Sequence, residues 1–280
     1  MKLGKVLAWE FRRTVRGKQF LIMTILIPAI LGLSAGGYAL FGGTREAPAG
    51  PPPPFLAPLV ISMILFFGAF LNGAMSLYAV IKEKSSRVVE IVLSSVSARE
   101  LMAGKVLGQG AAGLIQVILW GAIAIVVLGR LVPGLSWELS VVQWISYPLY
   151  FVLGFLLIAT LYATVAAGMK DVQSGGAQSL IGMIPYIPML FVQGMIEHPN
   201  EAWIRILSFF PPFTPAMMMI RVSVVALPWW EVAGTILFLA AFDFFFIRVA
   251  ARAFETAMLM YGKPVSLREL WRWGIRRTSR

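Results

Sequence analysis

Ile81–Lys105, IKEKSSRVVEIVLSSVSARELMAGK, is a polar island between two long apolar runs, Phe55–Ile81 and Val106–Gly129. A helix crossing hydrocarbon needs about 20 mainly apolar residues. The flanking runs meet that requirement and the island, with its charged side chains, does not. Its middle, Val88-Val89-Glu90-Ile91-Val92-Leu93, turns apolar again. An exposed apolar run of this kind marks an interaction surface. The island therefore reads as a docking element between two membrane spans, too short to be a catalytic domain. Within it, Ser97-Ala98-Arg99-Glu100 is a capping box, in which Ser97 and Glu100 each satisfy the other's backbone N–H. A helix is expected to start at about Ala98 and run into the next span. Ahead of it, Ser85–Leu93 is expected to form a separate short surface helix.

Composition extends this reading to the whole chain. Hydrophobic residues make up 59% and charged residues 13% of the sequence, where soluble domains average about 25% charged. Mean hydropathy is +0.80. No polar stretch reaches the ~50 residues of a small soluble domain. The expectation is an all-α integral membrane protein with one transmembrane domain over residues 1–280. Six spans are read: Gln19–Phe41, Phe55–Ile81, Val106–Gly129, Trp144–Gly168, Ser179–Ile196 and Trp230–Ala251. The fifth is the shortest, and Pro185 and Pro188 interrupt it.

Formal net charge is +11, and its distribution gives the topology. Nineteen Lys and Arg fall in the N-terminal segment, the island, the loop after span four and the tail; four, Arg45, Arg130, Arg205 and Arg221, fall on the other side. This bias predicts both termini in the cytoplasm, in the cytoplasmic (inner) membrane of a cell. The charge thus reads as topology and not as a nucleic-acid footprint. The basic start, the apolar run and Ser34-Ala35-Gly36 loosely imitate a secretory leader, but the long basic region favours a retained first span. Cysteine is absent, so disulfides and thiolate metal sites are excluded.

The segments between spans carry further expectations. In residues 1–18, Leu3, Leu7, Phe11 and Val15 recur every four residues, with Lys5, Arg12 and Arg16 off that stripe. This predicts a helix lying on the cytoplasmic membrane face, its cations near lipid headgroups. The run Pro51–Pro54 makes the first outer loop a short extended spacer. Glu197–Trp229 is as long as a span but broken by five prolines. It predicts two short re-entrant helices, Asn200–Phe210 and Ala216–Ala226, the second with Thr214 as N-cap and Pro215 at its first position. Arg221 lies among apolar residues there and needs a partner or water. In the tail, 252–280, Ser266-Leu267-Arg268-Glu269 is a second capping box and opens another candidate surface helix.

The chemistry that is missing matters as much. Gly104-Lys105 and Gly262-Lys263 lack the following Ser or Thr of a P-loop, so no ATP hydrolysis of that kind is expected in this chain. The one histidine, His198, sits in a loop beside proline. No catalytic constellation and no metal site are read. The remaining candidates are polar side chains inside spans, which are costly in lipid and face a bundle interior or a water-filled cavity. Asn72, Gln116, Asp243 and the outer Arg221 are the candidates for a translocation path. Arg248, five positions after Asp243, points about 140° away on a helix and is a poor partner for it. Interhelical hydrogen bonding is the structural alternative for Asn72, Ser76, Thr160 and Thr164.

Four stretches together carry a family likeness. They are Lys82–Ile91 followed by Glu100–Lys105; Gln173–Gln178; Phe210-Pro211-Pro212-Phe213-Thr214-Pro215 with Arg221 after it; and Leu259–Pro264. In this order the chain resembles the membrane subunits of ABC exporters of the type-2 (ABC-2) permease class, and within it the NatB-like branch. The resemblance implies six helices per subunit, two permease subunits (the same or a related chain) around a path, and a separate ABC ATPase on each. ATP and magnesium would act in that partner, with no cofactor in this chain. It implies that Ser85, Ser86, Arg87, Val88, Val89, Glu90, Ile91 and Leu93 form the coupling helix that docks in the ATPase. The loop Met169–Gln178, with Asp171 and Gln173, would make a smaller second contact. The implied activity is export, with sodium ion, drug, lipid or peptide as candidate substrates. NatB-like proteins carry a substantial extracellular domain in the first outer loop, where this chain has only Gly42–Pro54. A stand-alone ion-coupled transporter or channel using Asp243, or a non-transporting membrane scaffold, are the alternatives.

Overall fold

A computed structural model describes residues 2–26, 28–29, 52–85, 98–132, 134–168 and 183–259. Among the described residues all regular structure is helical. Helix α1 is Lys2–Val15; after a turn at Arg16 and Gly17, α2 covers 18–26. Then come α3, Leu56–Ser85; α4, Ala98–Leu131; and α5, Val141–Gly168. A 3-10 helix, Ile184–Phe191, leads into the short α6, Val192–Glu197, α7, Ala202–Ser208, and α8, Thr214–Val224. The last helix, α9, is Trp229–Leu259.

Four of these helices, α3, α4, α5 and α9, are long and apolar enough to cross a membrane. They coincide with the second, third, fourth and sixth spans read from the sequence. Two overshoot the expected bounds at the island. Helix α3 is described as far as Ser85, and α4 from Ala98, in keeping with the expected helix start at about Ala98. With 34 residues, α4 is about 51 Å long against a hydrocarbon core of about 30 Å. Its first turns therefore project beyond the membrane.

The fifth span departs from expectation. Residues 184–191 wind as a 3-10 helix. Pro185 and Pro188 have no N–H to donate, so the i to i−4 ladder cannot form through them. Tyr186 of this segment sits edge-on to Phe66 of α3, with centroids 6.4 Å apart, so aromatic packing holds what the backbone ladder does not. Of the first span, residues 27 and 30–41 lie outside the described residues, as do the tail from 260 and its capping box.

The core lies between α3 and α5. Phe66, Phe70, Tyr150, Phe155 and Ile158 are buried there together with Met218 and Met219 of α8. Small residues permit the close approaches: a side chain on Gly154 of α5 would meet Pro215 Cβ at 2.8 Å. Helix α5 starts with a reciprocal capping box, since the Ser140 N–H donates to Gln143 Oε1 at 2.9 Å and the Gln143 N–H to Ser140 Oγ at 3.3 Å. The outward surfaces of α4 and α9 are apolar: Ile118 is 69% and Leu237 70% exposed. Such faces suit lipid and not water.

Candidate functional site

Three polar clusters interrupt this apolar bundle. The first lies at the island end. Helix α1 packs along the projecting turns of α4, which carry glycine at two successive turns. A side chain on Gly104 would meet Val6 Cγ1 at 2.5 Å, and one on Gly108 would meet Leu7 O at 2.9 Å and Phe11 N at 3.1 Å. In that seam Lys105 Nζ donates to Glu10 Oε1 at 2.6 Å, and both side chains are buried. Arg13 reaches the same carboxylate oxygen at 3.8 Å. The seat takes in Leu7 and Phe11 of the apolar stripe, which the sequence reading places along the membrane face. The seat is rotated towards Val6 and centred on Glu10, because the two glycines admit α1 closely enough for an ion pair to close. Beyond the turn, α2 is tied to α4 by Trp120 Nε1 donating to Thr24 O at 3.1 Å.

The second cluster lies at the opposite end, in the proline-rich segment. Arg221 of α8 is fully buried. Its Nε donates to Pro199 O at 2.8 Å and its Nη1 to Ser208 Oγ at 3.2 Å. Its counter-charge is Glu231, in the first turn of α9, with Nη1 2.7 Å from Oε1. This is an ion pair rather than an aligned hydrogen bond, since Oε1 otherwise lacks a hydrogen-bond partner. Arg205 reaches Glu231 Oε2 at 3.5 Å from the surface. Helix α5 supports the cluster with a ladder of polar groups. Gln143 Nε2 donates to Val222 O at 3.0 Å. The Tyr147 hydroxyl pairs with Ser223 Oγ, and the Tyr150 hydroxyl with Thr235 Oγ1, each at 2.7 Å. Thr214 is not the N-cap of α8, as expected from the sequence. Phe213 holds that position, and Thr214 is already helical, its Oγ1 donating to Phe210 O at 3.0 Å. The preceding turn closes onto Phe210, so the hydroxyl bonds backward instead of capping forward.

The third cluster is inside the spans. Asn72 Nδ2 of α3 donates to Gln116 Oε1 of α4 at 2.8 Å, beside Gly113, whose missing side chain leaves room for the amide. Asn72 Oδ1 and Gln116 Nε2 stay buried without a partner among the described residues. So do both carboxylate oxygens of Asp243. Arg248 turns away from it, onto the Phe244 ring 3.2 Å from the guanidinium carbon, as helical spacing predicts. Thr164 Oγ1 donates to Thr160 O in its own helix at 2.8 Å and links no helices.

The structure therefore joins Asn72 to Gln116, gives Arg221 a partner in Glu231, and leaves Asp243 apart. Ser85 ends α3. Ser86, Arg87, Val88, Val89, Glu90, Ile91, Leu93, Asp171 and Gln173 lie outside the described residues. Sequence reasoning missed Glu10, Glu231, Tyr147 and Tyr150. Glu10 had one signal, as the sole acid among the basic first 18 residues. Glu231 had another, an acid in the first turn of a span, where the helix dipole favours it.

A family model described as ABC-2 family transporter protein matches residues 52–252. The chain belongs to this family. Residues 52–252 are accordingly a multi-pass membrane domain of permease type, in a family whose members normally pair with ABC ATPase subunits. The chain is 28% identical over 221 residues to Uncharacterized protein MJ1024 of Methanocaldococcus jannaschii, covering 77% of this chain and 53% of the relative. It is also 28% identical over 233 residues to Uncharacterized protein YhaP of Bacillus subtilis, covering 75% of this chain and 53% of the relative. The chain thus spans about half the length of these curated relatives.

Proposed function

We propose that this ABC-2 chain is the membrane-spanning permease subunit of an ATP-driven exporter, moved by a separate ATPase through the island between α3 and α4. One observation carries the reading. The two helices that enter and leave the island are continuous with membrane spans, one described as far as Ser85 and the other from Ala98. They also pack on each other within the bundle. Force on Ser85–Leu93 passes into both spans with no flexible joint in α3 or α4. The island's apolar centre supplies the surface for docking, and Asp171 and Gln173 a second contact.

In this reading the chain has six spans in a single domain, with both termini in the cytoplasm. Two permease subunits enclose the path, and ATP with magnesium is used only in the partner. Helices α7 and α8 are the re-entrant pair at the outer mouth, pinned by Arg221 and Glu231. Asn72, Gln116 and Asp243 are the polar groups offered to a path.

The test is co-expression with the candidate ATPase and replacement of Val89→Trp and Glu90→Lys. The expected result is loss of the complex and of transport-linked ATP hydrolysis. Unchanged complex and unchanged hydrolysis would refute the coupling role.

A further inference from the structure

Asn72 lies near the middle of α3 and Gln116 near the middle of α4, the two helices that the island joins. Their side chains, each 1% exposed, meet in a way that leaves hydrogen-bonding capacity over. An asparagine amide carries two donor hydrogens on nitrogen and an acceptor oxygen. Asn72 Nδ2 uses both hydrogens, one on Gly68 O at 2.9 Å and one on Gln116 Oε1 at 2.8 Å. Two acceptors on that side fix which end of the amide is nitrogen, so Oδ1 is the end left over. Gln116 Oε1 accepts the bond from Asn72, so Nε2 is the end left over there. A cyclic amide pair would have joined Oδ1 to Nε2 as well, but only one of its two bonds forms. One buried acceptor and one buried donor, on facing helices, are thus without partners among the described residues. Such groups are unfavourable in an apolar interior until something satisfies them.

The two free groups have a definite preference. A cation would find one free oxygen beside the hydrogens of Nε2, and an anion would find those hydrogens beside an oxygen. The amides bond to each other and to Gly68 O, and to no ionised group, so no counter-charge offsets an ion's penalty at this depth. An uncharged group that both donates and accepts, an amide or a hydroxyl, satisfies Oδ1 and Nε2 together. The surroundings are apolar. A side chain on Gly68 would meet Val117 and Phe151, and one on Gly110 would meet Phe155; both phenylalanines are buried. A few placed polar groups in an apolar lining is the usual composition of a small-molecule site.

We propose that Asn72 Oδ1 and Gln116 Nε2 form a subsite for the uncharged polar head, an amide or a hydroxyl, of an otherwise apolar cargo molecule. The Nδ2–Oε1 bond crosses between the helices on either side of the island, so a movement of the island that parts them opens the pair to its ligand. A bare sodium ion does not suit this subsite. The proposal rests on the reading of the two amides as part of a path, and it is independent of the island's coupling role.

The full-length chain is reconstituted in phosphatidylcholine nanodiscs without ATPase, and decanamide, decanol, decylammonium and decanoate are titrated in. Saturable binding of tritiated decanamide is read against empty nanodiscs. The Gln116 side-chain amide signal is followed by isotope-edited NMR, assigned by its loss in Gln116→Met. Decanamide and decanol are expected to compete with each other and to shift that signal. The two ions are expected to bind at least about ten-fold more weakly, for want of a counter-charge. The double variant Asn72→Leu, Gln116→Leu is expected to weaken decanamide binding about ten-fold, the effect of losing one buried hydrogen bond. Ions that bind as tightly as the neutral probes overturn the proposal. So does decanamide binding that the double variant leaves unchanged, or a Gln116 signal that no probe moves. The NMR titration uses the native chain, so it decides the matter even if the double variant misfolds. Because every measurement is made without ATPase, a failed coupling test leaves the subsite standing, and a failed subsite leaves coupling standing.

Discussion

Arg221 Nη1 lies 2.7 Å from Glu231 Oε1 with both side chains buried, and this contact joins α8 to the first turn of α9. Removing one member leaves the other charge buried without its counter-ion, which costs about 3–5 kcal/mol where it has been measured. Glu231→Gln and Arg221→Met are each expected to lower the melting temperature of the detergent-solubilised chain sharply. The double variant Arg221→Met, Glu231→Leu is expected to recover most of that loss, because a buried ion pair is weak support compared with apolar packing. Tryptophan fluorescence during thermal unfolding reads the difference. A double variant as unstable as the sum of the singles would show that the guanidinium's bonds to Pro199 and Ser208 matter more than the pair.

At the other end of the bundle, Gly108 should be the sensitive glycine of α4. A side chain there meets backbone atoms of α1, which cannot rotate away. Gly108→Leu is expected to lift α1 off its seat and destabilise the chain by about 1–3 kcal/mol, the usual range for overpacking. Gly121→Leu is the control, since nothing lies within 4 Å of its would-be side chain. It should shift stability by no more than about 0.5 kcal/mol. Equal effects of the two substitutions would contradict the close α1–α4 packing.

The long spans were legible because apolar runs long enough to cross lipid seldom occur outside membrane helices. The fifth span was not legible as a helix type: its hydropathy is that of a span, while Pro185 and Pro188 decide the winding and aromatic contacts with α3 decide its place. Side-chain partners were legible only where a lone residue advertised a need. Arg221 did so, but its partner could have been any acid within reach of the folded segment. The Glu10–Lys105 pair links residues 95 apart in sequence. Local patterning carries no information about such a contact.

For Asn72 and Gln116 a double-mutant cycle separates scaffold from path. Interhelical hydrogen bonds inside membranes average about 0.6 kcal/mol, and the 2.8 Å bond between these amides should show a coupling energy of that size in unfolding measurements on Asn72→Leu, Gln116→Leu and the pair. The unmatched Oδ1 and Nε2 lead to a second expectation. The double leucine variant should be at least as stable as either single one, because it removes both orphaned groups together. If it nonetheless loses transport with the ATPase bound, the two amides serve the path and not the packing.

Asp243 poses the opposite test, of whether a buried group with no structural partner serves the path. The residue is only 3% exposed, and neither carboxylate oxygen has a hydrogen-bond partner among the described residues. Desolvating a carboxyl without compensation is unfavourable, so the side chain contributes nothing to stability that an amide of the same shape would lose. Asp243→Asn is therefore expected to leave the melting temperature unchanged or raise it, while lowering transport-linked ATP hydrolysis measured with the partner ATPase. Asp243→Leu should be more stable still, since it removes the polar atoms altogether. A marked fall in stability with Asp243→Asn would contradict this, and would mean that the carboxylate is paired in the assembled transporter, with a cation supplied by a second permease subunit.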